Sequence, residues 1–223
     1  MEIYNYLPSK PLRSLFPKKV ITEETVINSV KGSLYPEEMH FINNSSNKRK
    51  NEFTAGRICA RFAHKEFGYT YFPLLIDENR APRWPNDISG TIAHSNEYCG
   101  VAVAKKKDFP SLGFDIEMFG RLKRHLWTQI LTYREQFWIR SLPNDKQDDS
   151  ATLIYSAKEC FYKYQYQITE RWVGFEDVEI EVNFGGSEFI IILQKDIPSL
   201  GKIKTTFLGH FLYHENHVFT VIF

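Results

Sequence analysis

Apolar side chains recur every three or four residues along three stretches of the chain, the spacing that places them on one face of an α-helix. The clearest stretch is 150–168, which predicts an amphipathic helix. A second pattern predicts a long helical region over 36–68 with Gly68 as its C-cap, and a third predicts a helix near 132–141. The polar segment 143–150 is interpreted as a loop.

Alternation of apolar and polar residues predicts strands elsewhere. Residues 91–104 resemble a hairpin with a turn at 95–97, while the start of the chain is irregular. Further strands are predicted at 112–117, 178–182, 188–193, 203–211 and 218–223. The pattern His94-x-Asn96 recurs as His214-x-Asn216, an offset of 120 (214 − 94), which fits either a duplicated α+β unit or chance.

Composition limits the classes of protein that remain. A chain of 223 residues with 43% hydrophobic content can bury one large or two small cores. The formal net charge of +1 argues against a general nucleic-acid binder, which needs a broad excess of Lys and Arg. Without a secretory signal or a run of about eighteen apolar residues, the chain is predicted to be soluble, cytoplasmic and not membrane-bound. Its three cysteines lack metal-binding spacing and are predicted to be reduced and mostly buried.

Acidic residues in the strand at 112–117 are candidates for binding a hard cation. Asp115 and Glu117 are two residues apart, so their side chains leave the same face of the strand. On the helix at 150–168, Glu159 would complete a set of three carboxylates, and Lys163 lies one turn away from it. The alternatives are a solvated strand and an exposed Glu-to-Lys pair worth a few tenths of a kcal/mol.

Basic residues in the first half are candidates for binding an anion. Arg57 and Arg61 are one helical turn apart and share a face, which Arg49 nearly shares as well. A solvated helix face is the alternative, although Gly56 inside the helix suggests a close approach by a ligand or a neighbouring backbone. His94 has two interpretations. It is either an ordinary hairpin histidine or, because hydroxyl residues flank it, a phosphate contact.

Four stretches resemble one known family, the 4′-phosphopantetheinyl transferases of the surfactin and enterobactin synthetase type. They are Asn47-Lys-Arg-Lys-Asn-Glu-Phe-Thr-Ala-Gly-Arg-Ile-Cys-Ala-Arg61, Arg80-Ala-Pro-Arg-Trp-Pro with Gly90-Thr-Ile-Ala-His-Ser95, Gly113-Phe-Asp-Ile-Glu117, and Tyr155-Ser-Ala-Lys-Glu-Cys-Phe-Tyr-Lys163. All occur in the family's order and spacing, and the similarity covers most of the chain. The first stretch is most similar to the enterobactin subgroup.

The resemblance implies an α+β fold in which a small antiparallel sheet packed with a long helix is duplicated about a pseudo-twofold axis. Residues 1–111 would form the nucleotide side and residues 112–223 the metal and catalytic side, with the active site in the cleft between the halves. A monomer that uses Mg²⁺, with Mn²⁺ as a substitute, is implied as well.

The family's functional positions carry over to this chain residue by residue. The metal ligands would be Asp115, Glu117 and Glu159. The residues implied to bind coenzyme A are Arg49, Arg57, Arg61, Arg80, Thr91, His94, Ser95, Lys158 and Lys163.

The implied reaction moves 4′-phosphopantetheine from coenzyme A to a serine of an acyl or peptidyl carrier protein and releases 3′,5′-ADP. Glu159 or Glu135 would accept the serine proton. Lys163 would meet the charge on the leaving group, with Lys158 on the phosphates. Two alternatives are a coenzyme A-binding module without catalysis and a metal-dependent phosphohydrolase that uses the same acids.

Overall fold

The computed structural model describes residues 10–200 and 205–223, which divide into two compact units. The first unit ends at Leu112 and the second begins at Gly113. Each unit contains an antiparallel sheet and one long helix. The predicted α+β class is therefore confirmed.

The first unit has a three-stranded sheet. Its helices are α1 (Pro11–Leu15), α2 (Pro36–Met39) and α3 (Asn47–Lys65), with a 3₁₀ turn at Ile27–Ser29; its strands are β1 (Ile21–Val26), β2 (Ile88–Ser95) and β3 (Tyr98–Lys105). The strand order is β1-β3-β2, with every pair antiparallel. The predicted hairpin is present, with its turn at residues 96 and 97.

The helical region predicted over 36–68 is two helices. After α2 the chain leaves helical geometry until α3 begins at Asn47, where the Ser46 hydroxyl caps the new helix by accepting a hydrogen bond from the Arg49 N–H at 3.3 Å. The residues before the cap, Asn43, Asn44 and Ser45, are poor helix formers, because such side chains can hydrogen-bond to the backbone in non-helical conformations. Gly68 adopts a positive φ of 84° just beyond the helix end, as expected for a glycine at that place.

The irregular start expected from the sequence is wrong from Pro11 onward. Glu24 of β1 is buried, and its carboxylate accepts the Leu12 and Arg13 N–H groups at 3.0 Å each, so it binds the start of α1 to the sheet. The Tyr98 hydroxyl also donates to Glu24. These three hydrogen bonds replace the water that the Glu24 carboxylate loses on burial.

The second unit has a five-stranded antiparallel sheet in the order β4-β8-β7-β6-β5. Its strands are β4 (Gly113–Met118), β5 (Val178–Asn183), β6 (Glu188–Leu193), β7 (Thr206–His214) and β8 (His217–Ile222); its helices are α4 (Trp127–Ile130), α5 (Tyr133–Ser141) and α6 (Asn144–Thr169), with 3₁₀ turns at Arg124–Leu126 and Phe175–Asp177. The loop predicted at 143–150 is wrong, because α6 begins there. Of the strand predicted at 203–211, residues 203 and 204 lie outside the described residues.

The two units share a connection pattern, although the repeated His-x-Asn motif is not part of it. In each unit a strand leads into the long helix, and the last strand pairs with that first strand: β3 with β1, and β8 with β4. The hairpin turns follow Ser95 and His214, an offset of 119 (214 − 95) rather than 120. Since one residue of slip reverses the face of a side chain, His94 and His214 are not equivalent positions.

All three cysteines are free and buried, as predicted. Among the described residues, no helix is both long and apolar enough to cross a membrane.

Candidate active site

The acidic strand β4 lies against α6, and its two acids face that helix. Asp115 pairs with Thr220 of β8, and the Thr220 hydroxyl is 3.1 Å from the Ser156 carbonyl oxygen of α6. Because alternate residues of a strand share a face, Glu117 also points to the α6 side. Gly113 permits this approach, since a Cβ there would lie 2.4 Å from the Cys160 carbonyl oxygen.

Lys163 of α6 connects the helix to the acidic strand. Its ammonium donates to Asp115 Oδ1 at 2.7 Å and to the Phe114 carbonyl at 3.1 Å. On the other side, the Ser156 hydroxyl donates to Asp115 Oδ2 at 2.9 Å. Both oxygens of a nearly buried carboxylate are thus held. From the sequence, an exposed pair of Glu159 and Lys163 is the alternative. In the structure, the principal contact of the Lys163 ammonium is with Asp115 instead.

Two of the three acids have a raised proton affinity. The pKa of Glu117 is raised to about 8, mainly by burial and also by the charges of Asp115 and Glu159, while Arg121 and Lys163 act in the opposite direction. Burial, with the charge of Asp115, also raises the pKa of Glu159. The pKa of Lys163 is raised despite its desolvation, because Asp115 and Glu159 stabilise the ammonium. Three carboxyl groups are therefore crowded beside one lysine, whose charge offsets part of their mutual repulsion.

In the first unit, α3 and the β2 strand bring Arg49 and His94 together. Arg49 Nη1 lies 3.3 Å from His94 Nε2, and Glu52 Oε1 lies 3.8 Å from His94 Nδ1. Arg49 is exposed and His94 is partly exposed. The arrangement presents a guanidinium and an imidazole to solvent on one side of the sheet, which suits an anion.

Two other predicted ligand residues contain buried polar atoms without partners. Within residues 10–200 and 205–223, neither Arg57 Nη2 nor Thr91 Oγ1 has a hydrogen-bond partner. Arg57 otherwise donates from Nε to the Leu74 carbonyl at 2.9 Å and lies 3.8 Å over the Phe53 ring. Burial lowers its pKa to about 10. Unpaired buried polar groups are costly, so each of these atoms would gain from a hydrogen-bond partner.

Comparison with known proteins identifies the family. The profile of the 4′-phosphopantetheinyl transferase N-terminal domain matches residues 37–104, and that of the 4′-phosphopantetheinyl transferase superfamily matches residues 111–221. The chain is 33% identical to the 4′-phosphopantetheinyl transferase Npt of Nocardia iowensis over 156 residues, 69% of either chain.

Two further relatives agree. Svp of Streptomyces mobaraensis, also a 4′-phosphopantetheinyl transferase, is 30% identical over 216 residues, 95% of this chain and 88% of the relative. The enterobactin synthase component D of Escherichia coli (strain K12) is 32% identical over 148 residues, 62% and 65% of the two chains. The chain belongs to the 4′-phosphopantetheinyl transferase superfamily. It is an enzyme that transfers phosphopantetheine from coenzyme A to carrier proteins.

Two residues that the family resemblance placed near the reacting groups of this transferase are inside the second unit instead. Lys158 donates to Glu135 Oε2 at 2.8 Å and to the Ile130 and Phe175 carbonyls at 3.0 and 2.7 Å, which uses all three of its ammonium hydrogens. Both side chains of the pair are 1% exposed. The phosphate role of Lys158 is therefore corrected, since its charge is neutralised away from solvent.

Glu135 is equally occupied. Besides Lys158, it accepts the N–H groups of Thr132 and Ile180, each at 2.7 Å. The Thr132 hydroxyl accepts the Glu135 N–H in return, so the acid belongs to the capping box of α5. A carboxylate with this burial and these donors is not placed to take a proton from a substrate, which corrects the expectation that it competes with Glu159.

The remaining predicted ligands of this transferase lie in different surroundings. Arg61 is buried, stacks 3.8 Å over the Tyr35 ring and donates to Glu38 and to the Ser33 carbonyl, so it is a structural clamp. Arg80 is exposed at the tip of a turn with a positive φ of 66°. Ser95 is buried at the end of β2, on the same face as Thr91 and opposite to His94.

The predicted metal ligands do not form a complete cage. No three His, Cys, Asp or Glu side chains in the described part of the chain are grouped so that they could hold a metal ion. One oxygen of Asp115 is engaged by Lys163, and Glu117 lies 3.6 Å from Arg121. The neighbouring cations therefore compete for the carboxylates that the sequence assigned to a metal.

Sequence reasoning missed two hydroxyl residues of the site. Ser156 lies inside the family motif that includes Glu159, so the motif could have drawn attention to it. Thr220 comes from the last strand, and nothing in its local sequence indicates that it meets Ser156. Its contribution depends on the pairing of β4 with β8.

Proposed function

We propose that Asp115, Glu117 and Glu159 bind a divalent cation, Mg²⁺ or in its place Mn²⁺, next to the coenzyme A diphosphate. The donor set fits, because all its ligand atoms are carboxylate oxygens, which hard cations prefer. The raised pKa values of Glu117 and Glu159 reflect burial and mutual repulsion that a cation would relieve. Mg²⁺ commonly takes one or two carboxylates together with substrate phosphates, so a complete protein cage is not required. When bound, the cation supplies Lewis-acid stabilisation of phosphate charge.

Glu159 is our candidate for the general base that accepts the proton of the carrier serine. The Glu159 side chain is only partly buried, and its raised pKa is closer to neutral pH than that of an ordinary glutamate, which suits a general base. Glu135, the other candidate from the sequence, is 2% exposed and fully engaged in the capping box and the ion pair with Lys158. The serine oxygen would attack the β-phosphate in line, and the bond to the 3′,5′-ADP oxygen would break.

Lys163 is proposed to stabilise the negative charge that develops on the leaving phosphate oxygen. Its ammonium has three hydrogens, of which the described residues use two, for Asp115 and the Phe114 carbonyl. The single observation on which this assignment depends is the 2.7 Å contact with Asp115, since it fixes the ammonium beside the acidic strand.

The first unit is proposed to bind the nucleotide portion of coenzyme A. Four residues support this: the exposed pair of Arg49 and His94, and the unpaired buried atoms of Arg57 and Thr91. Guanidinium groups recognise phosphate oxygens through directed hydrogen bonds. Arg61 is not included, because Glu38, the Ser33 carbonyl and Tyr35 already engage it.

The acceptor is proposed to be an acyl or peptidyl carrier protein of a nonribosomal peptide, siderophore or polyketide pathway. The similarity to enterobactin synthase component D supports this choice. A monomeric state, a cytoplasmic location and the lack of nucleic-acid binding stay predictions.

Substitution of the candidate base tests the assignment. We expect Glu159→Gln to abolish transfer to an apo-carrier incubated with coenzyme A and Mg²⁺, as read by intact-protein mass spectrometry of the carrier. Glu181→Gln, an exposed substitution on β5, is the control and should transfer normally. A Glu159→Gln enzyme with near-normal turnover would reject the role of Glu159 without affecting the family assignment.

A further inference from the structure

A buried pair of hydroxyl groups supports the carboxylate that binds Lys163. Ser156 Oγ lies 2.9 Å from Asp115 Oδ2 and 2.9 Å from Thr220 Oγ1, and both hydroxyl residues are 0% exposed. The three side chains come from α6, β4 and β8. We propose that Ser156 and Thr220 are positioning residues that hold the Asp115 carboxylate in the orientation needed to bind the cation.

The Ser156 hydrogen has a fixed direction. An ionised carboxylate only accepts, so the single hydroxyl hydrogen of Ser156 points to Asp115. The single hydroxyl hydrogen of Thr220 has two acceptors within reach, the Ser156 carbonyl oxygen at 3.1 Å and Ser156 Oγ at 2.9 Å. Thr220 thus acts on Asp115 through Ser156, because both of these contacts hold Ser156 in place beside the carboxylate.

The result is a carboxylate fixed at both oxygens. Ser156 donates to Oδ2 and Lys163 donates to Oδ1, so rotation of the carboxylate would break one of two charge-assisted bonds. Each carboxylate oxygen has two lone-pair directions, which leaves one on each oxygen for a cation. Groups that hydrogen-bond to metal ligands set ligand orientation, and their loss typically weakens metal binding about 10- to 100-fold.

This inference depends on the proposed metal role of Asp115. Cation binding, measured without coenzyme A or carrier, tests the metal role and the positioning role separately. Free Mn²⁺ is followed by its electron paramagnetic resonance signal during titration of the enzyme. Wild type should bind Mn²⁺, and Asp115→Asn should not. If wild type fails to bind or Asp115→Asn binds equally well, the metal proposal is rejected together with this inference.

If the Asp115 result is as expected, the hydroxyl variants decide the positioning role. We expect Ser156→Ala to weaken Mn²⁺ binding about tenfold and Thr220→Val to weaken it as well, while Thr220→Ser should retain wild-type affinity. The double variant Ser156→Ala with Thr220→Val should bind no more weakly than Ser156→Ala, because Thr220 acts through Ser156. Transfer activity lost in the single variants should recover at high Mg²⁺ concentration.

A purely structural role predicts a different pattern. Thr152→Val removes another fully buried hydroxyl of α6, which donates to the Asp148 carbonyl at 2.8 Å, and should lower stability without changing Mn²⁺ affinity. Wild-type Mn²⁺ affinity in a folded Ser156→Ala or Thr220→Val enzyme would overturn the inference. If Ser156→Ala does not fold, the nearly isosteric Thr220→Val decides the question alone.

Discussion

Glu135 and Lys158 form an ion pair with a separation of 2.8 Å, in which each side chain is 1% exposed. Lys158 precedes Glu159 on α6, and its two further bonds go to carbonyls outside that helix. The pair therefore fixes the rotation of α6 against α5 and the segments at Ile130 and Phe175. Because the two charges neutralise each other inside the unit, disruption of the ion pair should lower stability before it weakens the binding of coenzyme A.

We expect Lys158→Met to lower the free energy of unfolding by about 3–5 kcal/mol, because it leaves a buried carboxylate without its cation. Chemical denaturation measures this loss. The double variant Lys158→Met with Glu135→Gln should lose less than the sum of the single variants. Lys195→Met is the control, since it removes a partly exposed ion pair with Asp177 worth at most about 1 kcal/mol. A raised KM for coenzyme A with normal stability would support the phosphate role instead.

Thr91→Val should separate ligand binding from stability. Its buried hydroxyl lacks a partner in the described part of the chain, so an apolar group of similar shape should leave the folded protein equally or more stable. Calorimetric titration with coenzyme A should nevertheless show weaker binding. Thr22→Val is a matched control, because Thr22 has a similar unpaired hydroxyl and also pairs with Ala102, from β1 instead of β2. Equal coenzyme A affinity in both variants would contradict the assignment of Thr91.

Acid should destabilise the first unit through His64. This residue is 1% exposed, its ring nitrogens have no hydrogen-bond partner among the described residues, and Phe72 and Trp84 pack against it edge-on. Burial lowers its pKa to about 4, whereas an unfolded histidine titrates near 6.5. Between these values the unfolded chain binds the additional proton, so stability rises with pH.

The contribution of His64 should be fully present above about pH 6.5 and lost progressively as the pH falls to about 4, a total of about 3 kcal/mol. Denaturation at a series of pH values, compared between wild type and His64→Leu, isolates this effect from the carboxylates. The pH dependence should be smaller in His64→Leu and unchanged in His125→Gln, where the replaced histidine is exposed. An identical pH dependence in His64→Leu and wild type would contradict the expectation.

Gly113→Ala should disturb the active site through packing alone. The added Cβ would lie 2.4 Å from the Cys160 carbonyl and 2.4 Å from Ile222 Cγ2, so α6 must shift away from β4. We expect a loss of about 1–3 kcal/mol in unfolding free energy and reduced transfer activity. Gly185→Ala, in an exposed turn with its nearest neighbour at 3.5 Å, is the control and should change neither. Normal transfer by Gly113→Ala would show that the α6 contact is not required.

Much of the fold could be predicted where the signal was local. The hairpin that turns after Ser95, the strand with Asp115 and Glu117, and the helix with Glu159 follow from periodicity. The predictions failed where polar residues were assigned to loops by composition, as at the start of α6, whose acidic first turn suits a helix N-terminus. They also failed at α1, since a five-residue helix depends on Glu24 from another element.

The sequence alone determined the family, through four motifs in a fixed order, and the common face of Asp115 and Glu117, through the two-residue period of a strand. Only the tertiary structure decided which charges neutralise each other. Lys163 binds Asp115, whereas Lys158 lies inside with Glu135, although both lysines belong to one motif. The reason is that burial and hydrogen bonding depend on which distant elements pack against each face of α6, and no local pattern records that packing.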